Sequence, residues 1–402
     1  MFGLVLEGGG ARGAYHIGAY KAIKELDIEI GGIAGTSIGA INGAMMVQGD
    51  YDLLEKVWLS VDSYELFDID EKTIEDLKHF NLQSINFSYL LHQSKEILSN
   101  RGLDTSRIRE LFDDYIDEDK IRSSNIDFGI VTVNLTDKKP MELLKEDIPK
   151  GKLVDFLIAS ANLPAFRIEE MDGKKYLDGG FYNNLPIDIL ANKGYKNIIA
   201  VRTLAMGIIR KAKIKDLNIT FIQPVESLGS MLGALDFNKE RAEEYINLGY
   251  YDAMKVFKKL KGFKYYCIPF EGNFINILTN FYYEYKEKLC YIGHFLGYDE
   301  VCEDRMFFEK ILPRLESILD MKGKNDYQDI CIRFFERIAE KYGVERFKIY
   351  KAEEFVELTI EKFRENPTAF IKNVPNFIKQ NRILSLAVKD DLIVEIFAEL
   401  FL

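Results

Sequence analysis

A serine at residue 37 stands between two glycines in the segment Gly-Thr-Ser-Ile-Gly, which fits the GxSxG pattern. A serine on a strained turn between a strand and a helix carries its hydroxyl above the sheet, where it can attack a carbonyl carbon. Small residues at Gly35 and Gly39 let the strand and the helix approach each other there. Taken alone, the pattern is more often a glycine-rich turn with Ser37 as a helix N-cap, so its meaning depends on the surrounding sequence.

Three consecutive glycines, Gly8, Gly9 and Gly10, follow the first predicted strand and open a helix. This arrangement leaves several backbone N–H groups without partners. Such groups can hold the oxyanion that forms when a nucleophile attacks a carbonyl. Arg12, just inside the loop, either adds positive charge or braces the loop. If this loop and the turn at Ser37 lie at the carboxyl ends of adjacent strands, the donors and the nucleophile converge.

The same loop also fits the GxGxxG of a dinucleotide-binding fold, through Gly8, Gly10 and Gly13. That fold needs an acidic residue at the end of the second strand to bind the ribose hydroxyls. Here the second predicted strand runs into the GxSxG turn, and the nearest acids, Asp27 and Glu29, lie before the strand or at its start. The sequence therefore disfavours dinucleotide binding.

A serine hydroxyl needs a base within hydrogen-bond reach, and no histidine follows a late strand, where an α/β-hydrolase triad would place it. His16 lies on the first predicted helix beside apolar residues, and we interpret it as a packed or half-exposed helix residue. His79, His92 and His294 lie in helical, aromatic surroundings without a partner pattern. All four histidines are therefore interpreted as structural.

Asp178 is the better candidate for the base, because it ends a short predicted strand and is followed by Gly179 and Gly180. The alternative is a β-turn that uses Asp and Gly for ordinary turn chemistry. A carboxylate is a poor base at its reference pKa of about 3.9 and must be partly desolvated to act at neutral pH. A water-poor cleft with glycine walls would provide that environment.

Strands and helices alternate through the first two thirds of the chain, which predicts an α/β fold with a mainly parallel sheet. From about Asn273 the strand signals fade and helical periodicity continues to Leu402. We therefore predict a catalytic domain over 1–272, with its core at 1–205, and a helical module over 273–402. The predicted strands are Phe2–Leu6, Ile28–Ala34, Ile126–Asn134, Asn197–Thr203, Ile219–Gln223 and Phe263–Ile268, and the predicted helices include Ala14–Leu26, Ser37–Val47, Gly151–Ser160, Phe307–Leu319 and Tyr327–Tyr342.

Taken together, the motifs resemble the patatin-like phospholipase family. The resemblance rests on the Gly8 to Gly13 loop, the elbow from Gly35 to Gly39 and the Asp178-Gly179-Gly180 turn, in that order along the chain. The segments Ala159–Pro164 and Asn183–Pro186 look like the family's flanking regions, and Thr136-Asp137 looks like its Thr-Asp neighbourhood. The match covers about Met1 to Val201, and more loosely continues to about Phe270 through Asp236-Phe237 and Gly249-Tyr250.

The resemblance implies a three-layer α/β sandwich and a lipid acyl hydrolase of the phospholipase A or lysophospholipase kind. It implies that Ser37 is the nucleophile and Asp178 the base, acting without a histidine through an acyl-enzyme. Gly8, Gly9, Gly10 and Arg12 would form the oxyanion hole. No metal and no other cofactor is implied. Two other functions stay open, namely hydrolysis of soluble acyl esters or thioesters and a non-catalytic lipid-binding regulator with the same fold.

The formal net charge of −11 argues against general nucleic-acid binding, which depends on many lysines and arginines. The residues after Met1 show neither a basic segment nor a cleavage site, so no signal peptide is expected. The four cysteines show no metal-binding spacing and are interpreted as core thiols in a reducing compartment. We therefore expect a cytoplasmic protein, and two basic runs are interpreted either as peripheral membrane contacts or as solvated helix faces. The cysteines are Cys267, Cys290, Cys302 and Cys331, and the basic runs are Arg210 to Lys215 and Lys255 to Lys264.

Overall fold

The chain divides into two compact units, Met1–Val256 and Phe257–Leu402, in a computed structural model. None of the helices in the described part of the chain is both long and apolar enough to cross a membrane. The described residues are 1–63, 66, 105–164, 166, 170–229, 235–298, 304–365 and 386–402.

The described strands of the first unit form one eight-stranded sheet. Its centre is parallel, with β1 between β2 and β7, and β8 follows β7. Apolar runs such as Phe2–Leu6 form these central strands because both faces of a parallel sheet are covered. The strands are β1 (Phe2–Leu6), β2 (Ile30–Thr36), β3 (Asp127–Asn134), β4 (Lys139–Leu144), β5 (Glu170–Met171), β6 (Lys174–Asp178), β7 (Asn197–Val201) and β8 (Asn218–Ile222).

β2 and β6 lie along the same edge of β3 and meet there end to end, while β4 lies along the opposite edge. β4 pairs with β3 over Gly129–Asn134, which occupies one edge. β2 pairs in parallel up to Val131 of β3, and β6 pairs in the opposite direction from Thr132 onward, so both lie on the other edge. The carboxyl ends of β2 and β6 therefore meet at adjoining residues of β3.

The helices of the first unit follow the predicted alternation with the strands. α2 begins directly after Ser37 and ends at Gly49, which has φ 91° and forms a left-handed C-cap. The charge-free stretch from Ile30 to Gly49 is therefore strand, turn and helix. The helices are α1 (Ala14–Glu25), α2 (Ile38–Gln48), α3 (Tyr51–Ser60), α4 (Ser106–Tyr115), α5 (Glu118–Ser123), α6 (Leu153–Ser160), α7 (Ile187–Asn192) and α8 (Lys239–Lys258).

The second unit is mainly helical around a core rich in aromatic side chains. It contains a short parallel pair of strands, β9 (Tyr266–Ile268) and β10 (Ile349–Lys351). A π-helical turn at Phe307–Ile311 precedes the helix Leu312–Ile318. The other helices are α9 (Phe274–Glu284), α10 (Lys286–Phe295), Asp304–Met306, Tyr327–Lys341, Ala352–Glu365 and Leu386–Phe401.

The boundary between the units lies after Val256 and not at residue 272, where the sequence placed it. The buried carboxylate of Glu336 explains the difference. Its Oε1 accepts hydrogen bonds from the backbone N–H groups of Phe263, Lys264 and Tyr265, at 2.7, 3.0 and 2.7 Å. The predicted strand at 263–268 is confirmed as β9, but it belongs to the helical unit.

The expectation of four core thiols is wrong at Cys290, which is disulfide-bonded. Cys267 and Cys331 are not disulfide-bonded. Burial raises the pKa of Cys331 to about 12, so its thiol stays protonated at neutral pH. A disulfide is unusual in a reducing compartment, so Cys290 weakens the basis for the expected cytoplasmic location.

Two glycines allow α1 and α8 to cross at close range. A Cβ on Gly249 would collide with the carbonyl oxygen of Tyr15, and a Cβ on Gly18 would collide with that of Ile246. In the sequence, Gly249 belongs to the loosely matching extension that continues to about Phe270. Its role in the structure is to let two helix backbones touch.

We expect Gly249→Ala to destabilise the first unit by roughly 1–3 kcal/mol, because the added methyl group must push the helices apart. Alanine favours an isolated helix by about 1 kcal/mol over glycine, so a loss of stability would report the crossing itself. Urea unfolding followed by circular dichroism measures the change. Glu243→Ala, on the exposed side of the same helix, is the control. An unchanged or higher midpoint for Gly249→Ala would contradict the close crossing.

Candidate active site

Ser37 lies at the turn between β2 and α2 in a strained backbone conformation, with φ 57° and ψ −129°. A side chain on Gly35 would collide with the carbonyl of Gly39, and one on Gly39 would collide with the carbonyl of Leu6. The Ser37 N–H donates to the buried Oγ of Ser160 at 2.9 Å, which helps to hold the turn. The GxSxG segment therefore forms a nucleophile elbow, and its two glycines are needed for packing.

Asp178 ends β6, opposite Thr132 of β3, where β6 meets β2. Its Oδ1 accepts a hydrogen bond of 2.7 Å from the N–H of Gly180. Its Oδ2 completes no hydrogen bond with a described residue, although the adjacent Ser37 side chain favours the ionised form. Catalytic hydrogen bonds are often long before a substrate binds, so we take the two side chains as neighbours with an uncompleted bond.

Burial raises the pKa of Asp178 to about 6, against the opposing effects of Ser37 and of the Gly180 N–H. The side chain is only 3% exposed. A carboxylate with this pKa is mostly ionised at neutral pH and is a much better proton acceptor than an ordinary aspartate. The chain therefore places a buried carboxylate of raised pKa beside Ser37.

The glycine loop supplies two amides that could hold an oxyanion. The N–H of Gly8 donates to the carbonyl of Asn184 at 3.2 Å, so that amide is already occupied. The amides of Gly9 and Gly10 donate to no other described residue, and Gly10 lines the same cavity as Ser37. The geometry narrows the predicted donors from three glycines to Gly9 and Gly10.

Arg12 is buried, and its Nη1 donates to the carbonyl of Leu204 at 3.4 Å. Burial lowers the pKa of Arg12, while Tyr245 and Glu7 raise it. Of the two roles expected for Arg12, the structure displays the bracing of the loop. The contact with Leu204 holds the glycine loop against the segment after β7.

Glu7 supports the glycine loop and was missed as a site residue by sequence reasoning. Its carboxylate accepts the N–H groups of Thr203 and Leu204 at 2.8 and 3.0 Å. Thr203 Oγ1 in turn donates to the carbonyl of Gly8 at 2.7 Å. An acid at the end of a buried strand was the signal that could have identified it. Burial raises the pKa of Glu7, and Arg202 opposes this.

An apolar cavity of about 130 Å³ begins at Ser37 and Gly10. It follows α2 toward Met45, a distance of about 12 Å at the helical rise. Tyr115 also lines it, and the Tyr115 carbonyl accepts a hydrogen bond from Gln48 Nε2 at 3.1 Å. The remaining lining is largely apolar and includes Ile38, Ile41, Leu54, Trp58, Ile108, Leu111, Phe112, Ile116 and Phe237.

His16 is fully buried, not half-exposed, and its Nδ1 lies 3.2 Å from the Nδ2 of Asn42. Burial lowers its pKa to about 3, so the ring is neutral at physiological pH. His16 does not line the cavity, and His294 lies in the second unit. His79 and His92 are outside the described residues.

The flanking segments named from the sequence hold the site in place. The carbonyl of Asn162 accepts the N–H of Asp178 at 2.9 Å, and Thr36 Oγ1 donates to the carbonyl of Asn183 at 2.8 Å. Asp137 pairs with Lys174 at 2.6 Å, and the Oγ1 of Thr136 accepts the N–H of Lys175. The Thr-Asp neighbourhood therefore braces β6, and the other two segments position the serine and the acid.

The family model described as patatin-like phospholipase matches residues 4–191. Neuropathy target esterase sws of Drosophila melanogaster is 31% identical over 202 residues, which are 50% of this chain and 12% of that protein. Human patatin-like phospholipase domain-containing protein 6 is 28% identical over 205 residues, 49% of this chain and 13% of that protein. The crystal structure of VipD from Legionella pneumophila aligns over 100% of this chain and 91% of that one, with a TM-score of 0.38 and 13% identity.

The matches to the two relatives cover half of this chain and about an eighth of their own length. Residues 4–191, which the family model matches, include the glycine loop, the elbow and the Asp-Gly-Gly turn. Residues 4–191 therefore form a patatin-like phospholipase domain.

Proposed function

We propose that the chain hydrolyses carboxylic esters of glycerolipids, as a phospholipase A or lysophospholipase, with Ser37 as nucleophile and Asp178 as base. The observation that supports this most directly is the buried Asp178 carboxylate, whose pKa is raised to about 6, next to Ser37 at the mouth of an apolar cavity. Family membership supports a lipid ester hydrolase.

In the first step, Ser37 Oγ attacks the ester carbonyl while its proton passes to Asp178 Oδ2, the oxygen without a completed hydrogen bond. The carbonyl oxygen becomes an oxyanion facing the amides of Gly9 and Gly10, and donors placed in this way typically contribute about 2.7–4 kcal/mol each. Collapse of the intermediate breaks the ester C–O bond, and Asp178 returns the proton to the leaving alcohol. An acyl ester on Ser37 remains.

In the second step, a water molecule gives a proton to Asp178 and its oxygen attacks the acyl carbon. The Ser37–acyl bond breaks, Ser37 Oγ recovers the proton from Asp178, and a carboxylic acid leaves. Both half-reactions use the same carboxylate as acceptor and then donor. A base with a pKa near neutrality serves both directions, because neither transfer is strongly uphill.

The largely apolar lining of the cavity favours a lipid over a small soluble ester, because it offers an acyl chain many dispersion contacts and few polar partners. Hydrolysis of soluble acyl esters or thioesters remains the second candidate, since the dyad does not specify the leaving group. A non-catalytic regulator is the least favoured, because it would not need an aspartate with a raised pKa next to a strained serine. We propose that the reaction takes place at a membrane surface, where such lipids reside.

Ser37→Ala should abolish ester hydrolysis without loss of stability, because it removes only the nucleophilic oxygen and keeps the backbone bond to Ser160. A serine-directed phosphonate should label the unmodified chain once, at Ser37, as checked by mass spectrometry of peptides. Ser60→Ala, which removes an exposed hydroxyl outside the cavity, is the matched control and should still be labelled. Turnover of a short-chain ester by Ser37→Ala would refute the assignment.

Asp178→Asn should lower the rate of acylation by roughly 10²- to 10⁴-fold, because the amide cannot accept the serine proton. A comparable loss in His16→Ala, with its fold intact, would instead indicate a histidine-based mechanism.

In the unmodified chain, activity should fall about tenfold between pH 7 and pH 5, as a carboxylate of pKa about 6 becomes protonated. The phosphonate labelling rate measured across pH would show this.

Asp178→Asn should not destabilise the protein above pH 6. The folded-state pKa of Asp178 is raised from 3.8 to about 6, so the folded state holds the proton more tightly and stability falls as pH rises through this interval. At about 1.4 kcal/mol per pH unit, the ionised carboxylate costs about 3 kcal/mol. Asp178→Asn removes that cost, and its melting temperature should equal or exceed that of the unmodified chain at pH 8. A clearly lower value would contradict the burial of an ionised group.

Ile116→Ala should shift the preference toward longer acyl chains, because Ile116 lines the cavity and its truncation adds room for the chain. Each extra methylene that enters should improve relative kcat/KM by about fourfold. A series of nitrophenyl esters of increasing length measures this. Ile121→Ala removes a similar buried side chain that does not line the cavity, and it should leave the length profile unchanged.

A further inference from the structure

We propose that the segment from Met206 to Lys215 is the docking surface through which the chain binds anionic membranes. This inference rests on the proposed function, because it concerns how the site reaches a lipid substrate. It names the surface that would bring the site to its substrate. The segment connects β7 to β8 and has no regular secondary structure over most of its length.

The segment exposes apolar side chains next to basic ones. Met206, Ile208 and Ile209 are 41%, 39% and 42% exposed. They precede Arg210 and then the lysines at 211, 213 and 215, and no acidic residue occurs between Met206 and Lys215. Apolar side chains that can enter the interface, together with cations that bind anionic headgroups, are the two components of peripheral membrane binding.

The charge of the segment contrasts with that of the whole chain. Four positive charges lie within ten residues of a chain whose net charge is −11. The side chains of Lys211, Lys213 and Lys215 form no ion pair with another residue in the described part of the chain. An anionic surface would therefore meet these lysines without first breaking ion pairs, whereas the rest of the chain would be repelled.

The second basic run does not offer the same surface. Lys261 pairs with Asp326 and Asp329 at 2.7 and 2.8 Å, and Lys264 pairs with Glu340 at 2.6 Å. These lysines neutralise acids of the second unit. Lys258 and Lys259 are exposed. Replacing these two lysines therefore provides a control for the change in net charge alone.

The segment is attached directly to the site by backbone hydrogen bonds. The N–H of Ile208 donates to the carbonyl of Gly180 at 2.9 Å, and its carbonyl accepts the N–H of Asn184 at 2.7 Å. Gly180 is the residue whose N–H binds Asp178, and the carbonyl of Asn184 binds Gly8. A lipid surface on Ile208 and Ile209 would therefore lie one hydrogen bond from the turn that holds the base.

Arg210 fixes the segment rather than leaving it loose. Its guanidinium stacks over the ring of Tyr182 at 4.2 Å, and its Nε donates to the Tyr182 carbonyl at 2.9 Å. The N–H of Lys213 donates to Asp188 at 2.9 Å. These contacts hold the backbone in place while the apolar and lysine side chains remain available, so docking needs little ordering of the chain.

The test measures binding of the full chain carrying Ser37→Ala to phosphatidylcholine vesicles with and without phosphatidylserine, by co-sedimentation. Lys211→Gln with Lys213→Gln should weaken binding to the anionic vesicles by roughly 10- to 30-fold at low salt. Met206→Ser with Ile209→Ser should weaken binding at every salt concentration. The attraction of the unmodified segment should decline as salt rises, since screening acts over about 8 Å at physiological ionic strength.

Lys258→Gln with Lys259→Gln changes the net charge equally and should leave binding unchanged. An equal loss in both lysine pairs would overturn the proposal, because the effect would then belong to net charge. Absence of vesicle binding in the unmodified chain, with or without phosphatidylserine, would also overturn it and would favour a protein partner for this surface.

In the catalytically competent chain, the two lysine changes at 211 and 213 should lower hydrolysis of vesicle lipid and leave hydrolysis of a soluble short-chain ester unchanged. An equal loss on both substrates would overturn the proposal, because the segment would then support the site instead of docking it. The unmodified chain could instead bind vesicles through this segment and show no esterase activity. That result would leave the docking inference standing and refute the proposed function.

Discussion

The site depends on taking the carboxylate of Asp178 out of water while leaving one of its oxygens without a completed hydrogen bond. Burial raises the pKa of Asp178 to about 6, and a bond to Gly180 orients Oδ1. Full solvation would return the group to an ordinary, weakly basic aspartate, and a second strong donor would hold its charge too tightly to accept a proton. The surrounding strands and glycines maintain this intermediate condition.

Strand topology supplies the condition. Because β2 and β6 end on the same edge of β3, Ser37 and Asp178 leave the sheet at one point from opposite directions. A side chain on Gly179 would collide with the carbonyl of Val131, so the turn after Asp178 must pack directly on β3. Ser37 and Asp178 are therefore both anchored on the sheet, as a preorganised site would require.

Local sequence patterns predicted much of this arrangement. The apolar run at Phe2–Leu6 forms the strand expected of it, and the elbow at Ser37 has the strained backbone that GxSxG requires. Patterns could not show that Asn184 occupies the amide of Gly8, nor that Glu336 draws residues 263–265 into the second unit. Both depend on contacts between residues far apart in the chain. The end-to-end meeting of β2 and β6 lies beyond local patterns for the same reason.

The chain contains one tryptophan, Trp58, and it lines the apolar cavity that begins at Ser37. Its indole N–H donates to Asn42 Oδ1 at 2.9 Å, and its ring stacks against Phe237 with centroids 5.8 Å apart. Asn42 also donates to the carbonyl of Gly13 at 2.9 Å, at the end of the glycine loop. Indole emission responds to the polarity around the ring, and all of this protein's tryptophan emission originates in that cavity. The molecule thus contains an intrinsic optical probe, which would report the entry of an apolar ligand into this cavity without any added label.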